Sequence, residues 1–358
     1  MTMTKDTQSI SWQLGPFIKA DACNPCLEPD IQNRFVCPIT GSDVRWEEKD
    51  VFNPAAVVRQ GSVHLLYRAE DTVGRHAGTS RIGLASSADG RHFAKRPEPV
   101  LSPAPDVFQH LEWEGGCEDP RIAQDEAGIY YLTYTAYDGD KARLCVASSP
   151  DLLTWTKHGT AFGAALNGKY SDIWCKSGSI VTRREGERFI ATKINGKYWM
   201  YWGESHIYAA TSDDLIRWEP IETNDFRDYS EEPILAPVLR RRLHRFDSTL
   251  VEPGPQAVIT KHGILLIYNG RNDEVHGDPA YAAGAYCAGQ ALFDLADPTV
   301  VIARSSAPFL VPDKDYETSG QVNHVCFVEG LVYHNEEWLL YYGTADSKIA
   351  VAVCQDAG

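Results

Sequence analysis

The chain has no apolar run that approaches the roughly 20 residues a membrane-spanning helix needs; its longest strong one is "GILLIY", 263–268. The opening "MTMTKDTQSI" lacks the apolar centre of an export signal. The expectation is a cytoplasmic protein, periplasmic if a signal has been trimmed away, with no membrane as partner. Positive charge is scarce. Against 49 Asp and Glu stand 34 Lys and Arg, a formal net charge of -15, which repels phosphate backbones and anionic lipid and excludes nucleic acid as a partner. Helical periodicity is missing too: no long segment repeats its apolar residues every 3.6 positions, so little helix is expected. There is no GxSxG elbow, no Walker-type loop and no HExxH, and no motif calls for a metal or any other cofactor. The nine cysteines are odd in number and scattered, several inside apolar runs such as "RLCVASS" and "HVCFVEG", where Cys acts as a small hydrophobe. Cys23 and Cys26 make a single CxxC, without the second pair or the His pair of a zinc site.

What is present is a repeat. The apolar runs "VHLLYRAED", "YYLTYTAYD", "YWMYWGES", "ILLIYNGRN" and "WLLYYGTAD" place Tyr67, Tyr134, Tyr201, Tyr268 and Tyr341 at intervals of 67, 67, 67 and 73 residues. Each run is preceded by a Pro- or Gly-marked strand ("FNPAAVV", "EDPRIAQ", "CKSGSIV", "EPGPQAVIT", "VNHVCFVEGLVY") and followed by another ("GLASSADGRHF", "CVASSPDLLTW", "YAATSDDLIRW", "GQALFDLADP", "IAVAVC"). Three or four short antiparallel strands, repeated five times, predict an all-β fold, a five-bladed β-propeller with a central funnel-shaped site. Length alone leaves one domain or two open. The repeat makes residues 1–358 one domain, with 1–45 as an N-terminal extension that packs on or closes the propeller.

In a propeller with few blades the first strand of each blade starts near the axis. The charged stretch "GGCEDPRIAQ", 115–124, then aims its carboxylates into a funnel, and proline is tolerated where no ladder donor is needed. Strand starts and run ends give a set of converging residues: Asn53, Arg68, Glu118, Asp119, Arg121, Asp172, Lys176, Glu204, Glu252, Asn269, Arg271, Asn323, His324 and Asp346. Carboxylates, amides and arginines interleaved with Tyr137, Trp174, Trp202, Tyr268 and Tyr342 suit a sugar, whose hydroxyls need donors and acceptors and whose ring faces need apolar platforms. A small oligosaccharide is the expected ligand.

The motifs "FNPAAVV", "LLYRAED", "CEDPRIA", "GPQAVIT", "LLIYNG" and "YYGTADSKIAVA" resemble those of glycoside hydrolase family 130, five-bladed propellers acting on β-mannosides. The resemblance runs from about residue 50 to 354 and rests on the motifs in combination. It implies Asp119 as general acid, passing its proton through a sugar hydroxyl, and Asn53, Arg68 and Asp346 as holders of the mannosyl ring. The family holds phosphorylases, which need cations for phosphate, and hydrolases, which need a carboxylate to activate water. Here Asn269 stands within "YNG" where phosphorylases have "YHG", and Gly203 and Glu204 replace their "RP". A glutamate there repels phosphate. The chain thus resembles more closely the branch that hydrolyses β-1,2-mannosides, with Glu204 or Glu252 as base and Asp119 as acid in an inverting, exo-acting enzyme that releases mannose.

Other readings of the same residues stand beside these. Asp119 could brace a strand start. Glu118 could contact sugar or brace Arg121, and Arg121 could form a structural ion pair. Glu204 could be solvated. Lys176 and Lys193 could hold phosphate, giving a β-mannoside phosphorylase that makes mannose 1-phosphate, and a sugar-binding propeller without catalysis is a third reading. The basic run "LRRRLHRFDS", 239–248, reads as a solvated or partner-facing loop. Segments 70–80, 220–245 and 272–282 depart from the repeat and are expected to shape the leaving-group subsites. A neighbouring subunit of a homo-oligomer could do the same.

Overall fold

The computed structural model describes residues 12–76, 78–224 and 234–355. Each repeat folds as an antiparallel sheet, and the five sheets stand around one axis as the blades of a propeller. Blade 1 is built from Asp50–Arg59, Ser62–Glu70, Ser80–Ser87 and Ala94–Lys95, and blade 2 from Gly116–Gln124, Tyr130–Tyr137, Ala142–Ser149 and Thr156–Thr160. Blade 3 runs from Gly178–Glu185 through Tyr198–Trp202 and Ile207–Ser212 to Trp218–Pro220. In blade 4 the inner strand is split into Leu250–Pro253 and Ala257–Thr260, followed by Gly263–Arg271, Tyr286–Phe293 and Val301–Arg304. Blade 5 contains Cys326–His334, Glu337–Thr344 and Lys348–Gln355. Its outermost strand is Ile18–Lys19, paired Ile18 to Val353, so the two ends of the described chain meet in one sheet. Residues 1–11 of the expected extension lie outside the described residues.

The apolar residues that alternate along each strand fill the spaces between blades. Five buried clusters result, and each joins two neighbours: Leu66 and Ile82 meet Leu132 and Tyr134 between blades 1 and 2, and Leu266 and Ile264 meet Val181 and Tyr201 between blades 3 and 4. Inner strands have a blade on each side, which is why Gly116–Gln124 is buried at every position. Side chains pin neighbouring blades together around the axis. Thr133 donates to the Gly178 carbonyl (2.6 Å), Ser179 to Pro255 (2.5 Å) and Gln256 to Leu331 (2.7 Å).

The five period-marking tyrosines are all fully buried. A buried phenol needs an acceptor. Tyr67, Tyr134 and Tyr268 donate to the buried carboxylates of Glu47, Glu112 and Asp247, each at 2.8 Å, while Tyr201 and Tyr341 donate to the carbonyls of Pro298 and Gly90. The basic run 239–248 is only partly solvated: Phe246 and Asp247 are buried, and Arg242 clamps Asp247 at 2.7 Å. Helix is confined to short turns such as Gln109–Glu112 and Asp315–Thr318, and no described helix is long and apolar enough to cross a membrane. None of the nine cysteines is in a disulfide, and seven of them are buried.

Candidate active site

The strand starts at the axis are irregular, and the irregularity aims the side chains. Register slips between Phe52 and Pro54 in blade 1, between Glu118 and Arg121 in blade 2, and between Val328 and Gly330 in blade 5. Asn53, Asp119 and Glu329 are thereby left out of the ladder, and proline follows the first two without losing a donor. Asn53 and Asp119 adopt left-handed backbone, φ 48° and 46°. Non-glycine residues hold such strain only where their surroundings fix them, often at functional sites. Asp346 enters from the tight three-residue turn after Glu337–Thr344, where Ala345 and Asp346 both have positive φ (48° and 50°) and the Ser347 N–H donates to the Thr344 carbonyl at 2.9 Å. Glu204 is delivered by Gly203, φ 119°, where a Cβ would lie 2.3 Å from the His206 carbonyl.

These residues surround an axial pocket of about 140 Å³. Its lining divides by chemistry into polar residues, Asn53, Arg68, Asp119, Lys176, Glu204, Glu252 and Asp346, and largely apolar ones, Leu250, Tyr286, Val322, Val325 and Phe327. That division matches a ligand with hydroxyls on its rim and C–H groups on its face. Among the described residues no group of three or more His, Cys, Asp or Glu is disposed to hold a metal ion.

Charge is dense and paired. Arg68, stacked over Phe52, reaches Glu70 at 2.6 Å, Glu118 at 2.9 Å and Asp119 at 3.1 Å. Asn53 donates to the same Asp119 oxygen at 3.0 Å. Burial by itself raises a carboxyl, but Arg68, then Lys176 and the Asn53 amide, outweigh it at Asp119 and hold that group at about 2. Burial wins at Glu252, pushed up to about 8 with Arg121 offsetting only part and Glu204 adding to the rise. Asp346 is pushed up to about 7 by burial against the pull of Arg68. The pocket thus holds an ionised Asp119 beside two carboxyls that keep protons near neutral pH. Ser177 donates to Glu252, and Arg121 lies 3.8 Å from it. Trp174 donates its ring N–H to Glu204 at 2.6 Å.

Several expected site residues are elsewhere. Asp172 is solvent-facing, its side chain 63% exposed and ion-paired to Lys141 and Arg143, because the loop carrying it turns outward to tie down the second-to-third strand hairpin of blade 2. Asn269 is fully buried and trades hydrogen bonds with the Val328 backbone (3.0 and 2.8 Å), joining blades 4 and 5. Arg271 points to Glu274 at 3.3 Å, and His324 contributes its carbonyl to the Tyr286 N–H at 2.9 Å; neither lines the pocket. Glu118 sits behind the wall as a brace for Arg68 and, at 3.8 Å, Lys176, and not for Arg121. Lys193 is exposed and lies over the Tyr198 ring, which removes one of the two cations considered for phosphate. Trp202, Tyr268 and Tyr342 are buried in blade interfaces; Tyr286 and Phe327 provide the apolar wall instead. None of the described residues of segments 70–80 and 272–282 lines the pocket, and residues 225–233 of the third expected segment lie outside the described residues.

Glu329 was not foreseen. It is fully buried on the axis, 2.8 Å from Arg121, and burial drives its carboxyl well above the usual range despite that partner. Arg121 also donates to the carbonyls of Asp119 (3.0 Å), Pro253 (3.0 Å) and Gly254 (3.2 Å), locking the starts of blades 2 and 4 together. The signal was present in "FVEGLVY", whose Glu-Gly stands in the repeat where "FNP" has Asn-Pro and "EDP" has Asp-Pro.

A five-bladed ring with a carboxylate-lined axial pocket belongs to the carbohydrate-active propellers. More narrowly, the chain belongs to glycoside hydrolase family 130: the family profile described as beta-1,4-mannooligosaccharide phosphorylase matches residues 27–357. The chain is similar to the 1,2-beta-oligomannan phosphorylase of Thermoanaerobacter sp. (strain X514), 34% identical over 87% of this chain and 91% of that protein. Among solved structures it is similar to a glycosyl hydrolase from Bacteroides ovatus, with 46% identity, a TM-score of 0.92 and coverage of 97% of this chain and 96% of that one. Another is described as showing that the family of mannoside phosphorylases contains glycoside hydrolases that target beta-1,2 mannosidic linkages in Candida mannan; it is 45% identical, with a TM-score of 0.93 over 97% of this chain and 96% of that one.

Proposed function

We propose that the chain is an inverting exo-β-mannosidase that hydrolyses β-1,2-linked mannosides to mannose. The observation that carries this reading is the pair Glu204 and Glu252 in the wall of the pocket that holds Asp119, beside cations already matched to carboxylates. A phosphate dianion entering there meets the Glu204 carboxylate, whereas a water meets a base. Asn53, Arg68 and Asp346 hold the terminal sugar, and a pocket of about 140 Å³ on the axis has room for little more than a chain end. Glu252 keeps its proton up to about pH 8 and serves as a donor at neutral pH, which leaves Glu204 to accept the proton of the attacking water. Single displacement requires acid and base carboxyls roughly 6.5–9.5 Å apart with the water between base and sugar.

Asp119 must carry a proton to act as acid. A neutral sugar that fills the pocket expels water, and that desolvation favours the protonated carboxyl. The proton then passes to the glycosidic oxygen through a sugar hydroxyl.

Phosphorolysis is the second reading, favoured by the names of the curated relatives and by Lys176 and Arg68 in the pocket. Incubation with β-1,2-mannobiose, with and without inorganic phosphate, separates the two. Mannose released at a rate indifferent to phosphate is the expected result; phosphate-dependent mannose 1-phosphate overturns it. Asp119→Asn is expected to lower kcat by about 10³-fold or more, in line with loss of an essential acid, with sugar affinity retained. Unchanged turnover would show that Asp119 is not the acid.

A further inference from the structure

Trp174 is a large aromatic left 46% exposed beside the pocket, in hydrogen-bond contact with Glu204 of its lining. Its ring edge is committed, since Nε1 donates to Glu204 Oε2 at 2.6 Å. The segment that carries it is anchored on both sides: Asp172 is held by Arg143 at 2.7 Å, the Tyr170 hydroxyl by Glu222 at 2.6 Å, and the Cys175 N–H by the Ala142 carbonyl at 3.1 Å. An indole fixed in this way presents one orientation to solvent. Indole faces pack against the C–H faces of sugar rings, and a preorganised platform loses little entropy when a ligand arrives. The same side chain orients a carboxylate in the wall, because a hydrogen bond to a charged acceptor is short and directional.

We infer that Trp174 sets leaving-group specificity and positions Glu204: its face receives the sugar on the leaving-group side of the scissile bond, and its N–H fixes the Glu204 carboxylate. The second half rests on the hydrolytic reading of Glu204; the first does not. Substrate that brings a sugar ring against Trp174 buries the indole face, and substrate with a compact leaving group does not.

The test compares Trp174→Ala and Trp174→Phe on β-1,2-mannobiose and on β-mannosyl fluoride, whose leaving group has no ring. Trp174→Ala is expected to raise KM for the disaccharide about tenfold, the effect of roughly one good contact, with KM for the fluoride within about twofold of the parent. On both substrates kcat is expected to fall about tenfold through loss of a hydrogen bond to a charged group. Trp174→Phe keeps a ring without the N–H, so it restores the disaccharide KM but not kcat. Equal KM changes on both substrates overturn the platform, and a Trp174→Phe kcat equal to the parent's overturns the positioning role. Calorimetry on the Asp119→Asn protein provides a readout independent of the reaction type: adding Trp174→Ala should weaken mannobiose about tenfold and leave mannose unchanged, and parallel losses count against the platform. Full turnover in Glu204→Gln removes Glu204 as base, and with it the positioning role, while the affinity comparison still decides the platform.

Discussion

At the scale of the residue, the site is a contest between burial and pairing. Asp119, Glu252 and Asp346 lie in one pocket, yet the first is held at about 2 and the others pushed up to about 8 and about 7. The difference is direct contact: Asp119 is touched by the Arg68 guanidinium at 3.1 Å and the Asn53 amide at 3.0 Å, with Lys176 adding to the pull, whereas at Asp346 the attraction of Arg68 does not offset burial. Glu252 ionises near 4.5 in the unfolded chain and near 8 in the folded one, so between those values the native state binds the extra proton. Stability from this group therefore falls as pH rises through about 4.5 to 8. Glu252→Gln is expected to raise the melting temperature relative to the parent at pH 8–9 and to leave it unchanged near pH 4; a constant offset at every pH would count against a titrating Glu252. The carboxylates Asp119, Glu204 and Glu252 were legible from residue type and position in the repeat. Asp172, Asn269, Arg271 and His324 were misplaced because a polar residue at a strand end looks the same whether it faces the axis, a neighbouring blade or water.

The element scale is governed by how each blade starts and how its second strand is anchored. The bulges at Asn53 and Asp119 turn side chains toward the axis, and the Pro that follows each is the trace they leave in sequence. Buried tyrosines anchor the second strands, three of them on buried carboxylates that are in turn neutralised by Lys95, Lys157, or Arg242 and Arg304. The 67-residue period marked these tyrosines; their three carboxylate partners keep nearly the same period, 20, 22 and 21 residues before Tyr67, Tyr134 and Tyr268, but lie in the segments leading into the blades, outside the apolar runs that reveal the repeat. Tyr268→Phe leaves Asp247 one donor short in a fully buried place. The expected cost is about 1–3 kcal/mol, measurable as a lowered denaturation midpoint, and the same change at Tyr201, which donates to a carbonyl, is expected to cost less.

For the whole molecule, stability is distributed around a ring. Five interfaces share the apolar core, and the ring closes where Ile18–Lys19 completes blade 5. Lys19 strengthens that closure through Glu317 at 2.6 Å, whose side chain is fully buried and also accepts from Tyr342 at 2.9 Å. Breaking a buried ion pair from one side leaves an uncompensated charge and costs about 3–5 kcal/mol. Lys19→Met is accordingly expected to lower the melting temperature by several degrees, while Lys348→Met, which loses only an exposed pair with Glu28, is expected to change it little.

Sequence by itself determined the number of blades, the order of their strands and the fact that charge begins the inner ones. These follow from local rules, namely the two-residue alternation of strands and the tolerance of proline and left-handed backbone at their starts. Tertiary structure decided which charged groups meet. Arg68 spans three carboxylates from two blades, Arg121 ties the starts of two blades to Glu329 of a third, and Trp174 reaches Glu204 across 30 residues. A residue's facing around an axis depends on the twist and packing of all five blades together, and protonation in turn depends on the neighbours that facing supplies, so neither is written in any one stretch of the chain.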